Sequence, residues 1–344
     1  MYKKLLATSA LVSTLVVANT TFAQTTITGS MDLALRSSSY DAAGGAASDT
    51  TLGRETQLNI ANKGNLNIGG LSYAAGFSLE FDGGQALGET AGSTSNENVY
   101  LNIIKGATTL HIGTDHIQNS QNDLLNTAGD LIDEINGILV GGLIDNVGTR
   151  SPKEDMGAGI IQNFGNGITG SYLYTPNNTN TGVGNQASGT STTGTNGAYE
   201  VGVRGTNVAN SGISFDLWKN KVESATAATQ DVTGKAYAVN YNTGPFGAGF
   251  AILDTDDAAG LEVKTKMGHL SYAISKDLTA SAVYAKTSDA DPASDADEKI
   301  KSLMVGYSLG PVGVLVTASQ IENIGALSTG NDANLYGISL NTKF

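Results

Sequence analysis

Two stretches of the chain concentrate groups that could do chemistry. The first holds Asp115, His116, Asp123, Asp130, Asp133, Glu134 and Asp145; the second runs Asp289-Ala290-Asp291-Pro292-Ala293-Ser294-Asp295-Ala296-Asp297-Glu298. Carboxylates at the density of Asp291, Asp295 and Asp297 could hold Ca²⁺ through hard oxygen ligands, within the loop or as a bridge to phosphates. The glycine-centred twelve-residue calcium loop is absent, so a solvated, charged loop tip is the preferred reading. There is no cysteine, and the three histidines, His111, His116 and His269, are scattered along the chain and flank no obvious nucleophile. Thiolate chemistry, a histidine-rich zinc site and a serine-histidine-aspartate set are therefore not expected, and neither is enzymatic activity or a cofactor beyond the Ca²⁺ candidates. What these residues can do is shape an electrostatic field, which depends on the elements that hold them.

The first 23 residues stand apart from those elements. Lys3 and Lys4 precede the apolar stretch Leu5 to Val17, and Thr21-Phe22-Ala23 offers the small residues a signal peptidase reads. Cleavage after Ala23 would start the mature chain at Gln24 and leave 321 of the 344 residues, with the formal charge moving from −13 to −15. A surface so acidic cannot neutralise phosphates over a broad face, which argues against nucleic acid as a partner. After the leader there is no apolar run of the ~18 residues that would mark a spanning helix. A membrane-spanning form of this chain must therefore be a closed sheet, because hydrocarbon offers no partners to an open edge.

The remaining residues read as strands. Gly is abundant at 44, Pro is scarce at 5, and charged residues make up 15%, a composition of short strands and turns. Sixteen segments alternate with period two between turn residues. In the first, Thr25 to Arg36, the residues Ile27, Met31, Leu33 and Leu35 share one face and Thr28, Ser30, Asp32 and Arg36 the other. In the last, Ala333 to Phe344, the residues Tyr336, Ile338, Leu340 and Phe344 share a face. Between them lie segments near Arg54 to Asn62, Gly70 to Phe81, Asn96 to Lys105, Ala107 to Gly113, Asp155 to Phe164, Gly167 to Thr175, Ala198 to Asn207, Ser211 to Glu223, Gly234 to Thr243, Phe246 to Asp254, Glu262 to Ser275, Asp277 to Lys286, Lys299 to Leu309 and Val312 to Glu322. Most approach the ~9 to 11 residues that cross a bilayer obliquely.

The connections alternate in length. Those at Gly106, Gly165, Asn210, Gly244, Lys276 and Gly310 are very short, whereas those after Arg36, Phe81, Thr175, Glu223, Asp254, Lys286 and Glu322 are long and rich in Gly, Ser, Thr, Asn and Asp. Short turns on one rim and long loops on the other describe an outer-membrane barrel. The connection 114–154 departs from this rhythm, because it is long and carries Leu124, Leu125, Leu131, Ile132, Ile135, Ile138, Leu139, Val140, Leu143 and Ile144. An apolar loop of this length must pack against something, and inside a barrel the available surface is the inner wall.

With these features the chain resembles the general porins of Gram-negative bacteria, trimeric sixteen-stranded diffusion channels. The resemblance rests on the leader, the first strand Thr25-Thr26-Ile27-Thr28-Gly29-Ser30-Met31-Asp32, the segment Ala107-Thr108-Thr109-Leu110-His111-Ile112-Gly113 before the long connection, and the terminal Phe344. Two features depart from the family pattern. Thr342 stands where an aromatic often precedes the terminal Phe, and the Pro-Glu-Phe-Gly-Gly motif of the third loop is absent. The resemblance implies an all-β, sixteen-stranded antiparallel transmembrane barrel over 24–344, with 114–154 folded into the lumen as a constriction. It also implies a homotrimer using lipid-side residues of the early and late strands and the loop near 82–95, set among outer-membrane lipids and lipopolysaccharide.

Strand parity then assigns the lining. Asp32, Arg36, Glu55, Gln57, Glu80, Asn102, His111, Glu200, Arg204 and Asp216 should face the lumen. The acids of 114–154 would oppose Arg36, Arg54 and Arg204 and set up a transverse field, with cation preference expected from the excess of acids. Trp218 should face inward or sit near the rim. Tyr73, Tyr172, Tyr174, Tyr199, Tyr237, Tyr241, Tyr272, Tyr284, Tyr307 and Tyr336 should form interfacial girdles. The expected function is passive diffusion of small hydrophilic solutes and ions. Alternatives are a substrate-specific channel of the same architecture, marked by saturable conductance, and a secreted or surface-layer β-protein or adhesin.

Overall fold

A computed structural model of the chain describes residues 23–42, 45–66, 68–81, 94–113, 157–176, 195–224, 231–256, 262–289, 297–323 and 332–344. The described residues form sixteen strands in one closed antiparallel barrel, each paired with its sequence neighbours and β1 with β16. The strands are β1 (Gln24–Ala42), β2 (Gly45–Asn65), β3 (Ser72–Phe81), β4 (Thr94–Lys105), β5 (Thr108–Gly113), β6 (Gly157–Gly165), β7 (Ile168–Pro176) and β8 (Thr195–Gly205). They continue with β9 (Ile213–Ser224), β10 (Val232–Thr243), β11 (Phe246–Asp256), β12 (Glu262–Ala273), β13 (Leu278–Asp289), β14 (Glu298–Leu309), β15 (Val312–Glu322) and β16 (Asp332–Lys343). No helix among the described residues is long and apolar enough to cross a membrane. Closure leaves no open edge within the membrane-crossing ring.

Period-two alternation produces the two faces. Met31, Leu33 and Leu35 on β1 and Tyr336, Ile338 and Leu340 on β16 point outward and are exposed, while Ala34, Arg36, Leu335 and Ser339 between them are buried. All ten tyrosines expected in the girdles lie on the outward parity, and the rings of Phe246 and Tyr272 form a tilted pair with centroids 4.8 Å apart. At the seam, Gly29 and Phe344 exchange both backbone hydrogen bonds, at 2.7 and 2.9 Å. The Phe344 ring covers Gly29 so closely that a Cβ there would lie 2.5 Å from ring carbons. The terminal aromatic thus shields a strand glycine and caps the closing ladder.

The short rim is as expected at Gly106, whose φ of +59° suits the turn after Lys105. The connection at Asn210 is longer than a tight turn and includes a 3₁₀ turn, Val208–Asn210. The largest difference lies after Arg36, where a long loop was expected. β1 and β2 instead keep pairing to Ala42↔Gly45, with Asp41 also opposite Asp332 on β16. Ser37-Ser38-Ser39 carries no apolar face for alternation to reveal, because a ladder beyond the hydrocarbon needs only its backbone hydrogen bonds.

The main apolar cluster is inside the barrel and on one side of it. It contains Trp218 from β9, Ala236 and Ala238 from β10, Ala251 and Leu253 from β11, and Met267 from β12. Val283, Ala285, Ile300, Leu315, Ile321 and Leu335 continue it through β13 to β16.

Candidate functional site

Most of the charged groups of the lumenal wall lie on β1 to β9. Their centre is Arg204 on β8 directly opposite Asp216 on β9. The guanidinium donates from both Nη2 (2.6 Å) and Nε (3.2 Å) to Oδ2 of Asp216. Asp216 is 0% exposed and Arg204 24%, so the carboxylate is held in the wall and the cation reaches toward the lumen. Glu200 lies on the same face of β8, buried opposite Leu173 and Asn220.

A second group forms around the seam. The Asn341 amide donates to the Asp32 carboxylate, and the register places Asp32 opposite Glu55. Arg36 is buried on the same face of β1, between Thr51 and Gly337. Farther round, Glu80 lies opposite Gln57, and Ser78 donates to Asn59 at 2.6 Å. His111 is buried with Nδ1 2.7 Å from Oδ1 of Asn102 across the β4/β5 ladder. A contact to an oxygen puts the proton of the neutral ring on Nδ1, leaving Nε2 as an acceptor.

One assignment is corrected. Arg54 pairs with Leu33 and is exposed on the outward parity. Arg54 and Glu55 are adjacent in one extended strand and cannot face the same side. The loop set Asp115, His116, Asp123, Asp130, Asp133, Glu134 and Asp145 lies outside the described residues, as do the Ca²⁺ candidates Asp291 and Asp295. Asp297 receives Lys286 Nζ at 2.6 Å. That hydrogen bond, with one from Ser288, holds the Asp297 carboxyl below its ordinary range. Trp218 faces inward as expected and is buried.

Residue-by-residue reading missed much of the opposite wall. His269 is buried on β12 opposite Gly249, with no hydrogen-bond partner on either ring nitrogen among the described residues; a Cβ at position 249 would collide with the imidazole, so the glycine makes its space. Glu298 is also buried there on β14. Both could have been found by extending parity from Ser271 and Ser302.

Comparisons with known proteins agree with this geometry. A family described as Gram-negative porin matches residues 7–341. Among solved structures, the anion-selective porin from Comamonas acidovorans aligns at 14% identity over 94% of this chain and 100% of its own, with a TM-score of 0.62. OmpF of Salmonella typhi, in complex with daunomycin, aligns at 11% identity over 93% of this chain and 97% of its own, with a TM-score of 0.66. The channel DcaP of Acinetobacter baumannii aligns at 13% identity over 94% and 97%, with a TM-score of 0.65. No curated protein matches the sequence. The chain belongs to the Gram-negative porin family, and with its closed barrel it is an outer-membrane channel for passive diffusion.

Proposed function

From that membership, we propose that the channel passes small hydrophilic solutes and ions along its charged arc, with a preference for cations and no enzymatic activity. The observation that carries this reading is the Arg204–Asp216 pair with Glu200, Asp32 and Arg36 on one inner wall. Sixteen-stranded barrels are wide enough to hold water, and lining charge then selects among solutes. The connection 114–154 supplies the constriction in this reading, with its acids Asp115, Asp123, Asp130, Asp133, Glu134 and Asp145 and with His116 turned toward Arg36 and Arg204. It is supported by the buried apolar side chains of β10 to β16, which need a cover, and by the ends of the connection at Gly113 and Gly157 on the opposite side of the strand order. The same reading includes cleavage of residues 1–23 on export, assembly as a homotrimer and contact with lipopolysaccharide.

The opposite sign occurs on this fold, since the similar Comamonas porin is described as anion-selective. Reversal potential across a salt gradient tests it: a potential of the sign for cation flow is expected, and clear anion selectivity would overturn the preference. Conductance that saturates with one solute, and is blocked by it, would favour the substrate-specific alternative.

A further inference from the structure

On β10 to β13 the inner wall changes character along its length. Toward the long connections the inward positions are carbon, with Ala238, Ala251, Met267 and Ala285 facing one another in a single row. Toward the short turns the next two rows carry polar, uncharged side chains. One row is Asn240, Gly249, His269 and Val283, and the other is Asn242, Gly247, Ser271 and Ser281. The two glycines of β11 let their neighbours converge. A Cβ at position 249 would collide with the His269 ring, and one at position 247 would meet Ser271 Oγ and Asn242 Oδ1. Bare of side chains, β11 is a floor over which β10 and β12 lean from either side.

The polar groups around this floor are incompletely used. Asn240 Oδ1, both ring nitrogens of His269 and Ser281 Oγ are buried, in residues more than nine-tenths buried, and have no hydrogen-bond partner among the described residues. Ser302, opposite Val283 on the next strand, differs, because its hydroxyl is already bonded to that of Ser319 at 2.6 Å. Unpartnered buried polar atoms are costly and rare. Three such side chains within a patch of roughly 7 by 14 Å point to a partner from outside the chain.

The patch adjoins a way in. At the short-turn rim lies a cavity of about 560 Å³, lined by Asn207, Asn210, Ser214 and Asn242 among others and by no charged residue. Such a volume is within the ~300–1,000 Å³ of small-ligand sites. Asn242 belongs to both places: it lines the cavity and leans over Gly247.

The hydrogen-bonding inventory defines what fits. Asn240 Oδ1 only accepts, a neutral imidazole offers one donor and one acceptor, and a serine hydroxyl does both. A carboxylate cannot serve Asn240 Oδ1, and an ammonium cannot serve the imidazole N–H. Neighbouring hydroxyl groups serve all three. The charged residues next along the wall, Arg204 and Asp216, are paired with each other at 2.6 Å, so the patch itself favours a neutral solute.

We propose that this patch and the cavity beside it form a binding site for a neutral, hydroxyl-rich solute of hexose size. Asn240, His269 and Ser281 exchange hydrogen bonds with its hydroxyls, and Ala251, Met267 and Val283 meet the carbon face of its ring. This names a solute class for the substrate-specific alternative above and rests on the reading of the lumen as a water-filled path.

The test records ion current through the full barrel in planar bilayers while D-glucose, tetraethylene glycol of similar mass, or glucose 6-phosphate is added. Glucose should block the current saturably, at a half-blocking concentration at least tenfold below that of either other solute. The double variant Asn240→Ala/Ser281→Ala should raise that concentration at least fivefold, whereas Ser302→Ala, whose hydroxyl is already bonded, should leave it unchanged. Equal block by glucose and tetraethylene glycol in the natural chain would overturn the site without any variant, and is the result expected if buried water satisfies these atoms. Equal block by glucose 6-phosphate would overturn the neutral-solute assignment, and a double variant blocked normally would overturn the roles of Asn240 and Ser281. Current steps before any sugar is added report on the pore alone. Steps without saturable glucose block overturn this site and leave the diffusion reading standing, whereas folded protein without steps overturns the diffusion reading and the site with it.

Discussion

Two arcs of one inner wall follow different rules. From β1 to β9 the inward positions include Asp32, Arg36, Glu80, His111, Glu200, Arg204 and Asp216, and Asp32, His111, Arg204 and Asp216 have cross-strand partners. From β10 to β16 the inward positions include Ala236, Leu253, Met267, Ile300, Ile321 and Leu335, all fully or almost fully buried. An inward position therefore does not dictate polarity by itself. Burial alone does not separate the arcs, since Arg36, His111, Glu200 and Asp216 are as buried as the apolar residues: one arc buries polar groups that have partners, the other buries mainly carbon. On the proposed reading, the charged side serves the solutes and the apolar side carries the connection that narrows the channel.

Placing one charge on each arc is the strongest way to break this contrast. Leu253→Asp should cost several kcal/mol, because it buries an unpaired carboxylate at a site with 0% exposure. Asn59→Asp on the charged arc should cost under about 1 kcal/mol, as expected for a polar position that stays solvated. Urea titration of folding into lipid vesicles measures both, and equal costs would erase the distinction.

Next in size is the pair at the heart of the charged arc. Asp216→Ala leaves the Arg204 guanidinium without its carboxylate, and removing one partner of a buried pair typically costs ~3–5 kcal/mol. Arg204 is partly exposed to the lumen, so the expected loss is lower, about 2 kcal/mol after allowing for that screening. The unmasked cation should also shift the reversal potential toward anions. An unchanged potential would mean that this pair lies outside the ion path.

The smallest effect concerns the buried Ser302–Ser319 hydrogen bond, 2.6 Å long, which joins β14 to β15 on the apolar arc. Ser302→Ala should cost about 1 kcal/mol and leave conductance unchanged. A change in conductance would place water, and not packed atoms, against that wall.

How much of this was legible depended on which face carried the pattern. Tyr336, Ile338 and Leu340 meet lipid on a face that must be apolar, so their alternation announced β16 and the number of strands behind it. Ser37 to Asp41 extend β1 beyond the membrane, where neither face is constrained, and the pattern was silent. Ile300 and Met304 face inward on β14 while Leu303 and Val305 face outward, so apolar residues appear on both parities and the apolar arc left no periodic trace. Arg54 was placed by its charge, and its strand neighbour Glu55 shows why it could not join the wall. Arg204 and Asp216 were each placed inward by parity, but the hairpin register that sets them face to face depends on a seven-residue connection whose 3₁₀ turn composition alone does not define.

The central claim is that this barrel holds a continuous water-filled path along its charged arc. The most direct measurement is single-channel recording in planar bilayers with the purified protein, shown to be folded by its heat-dependent gel mobility. Discrete current steps whose size rises in proportion to salt concentration are predicted, and folded protein that inserts yet gives no steps would contradict the claim.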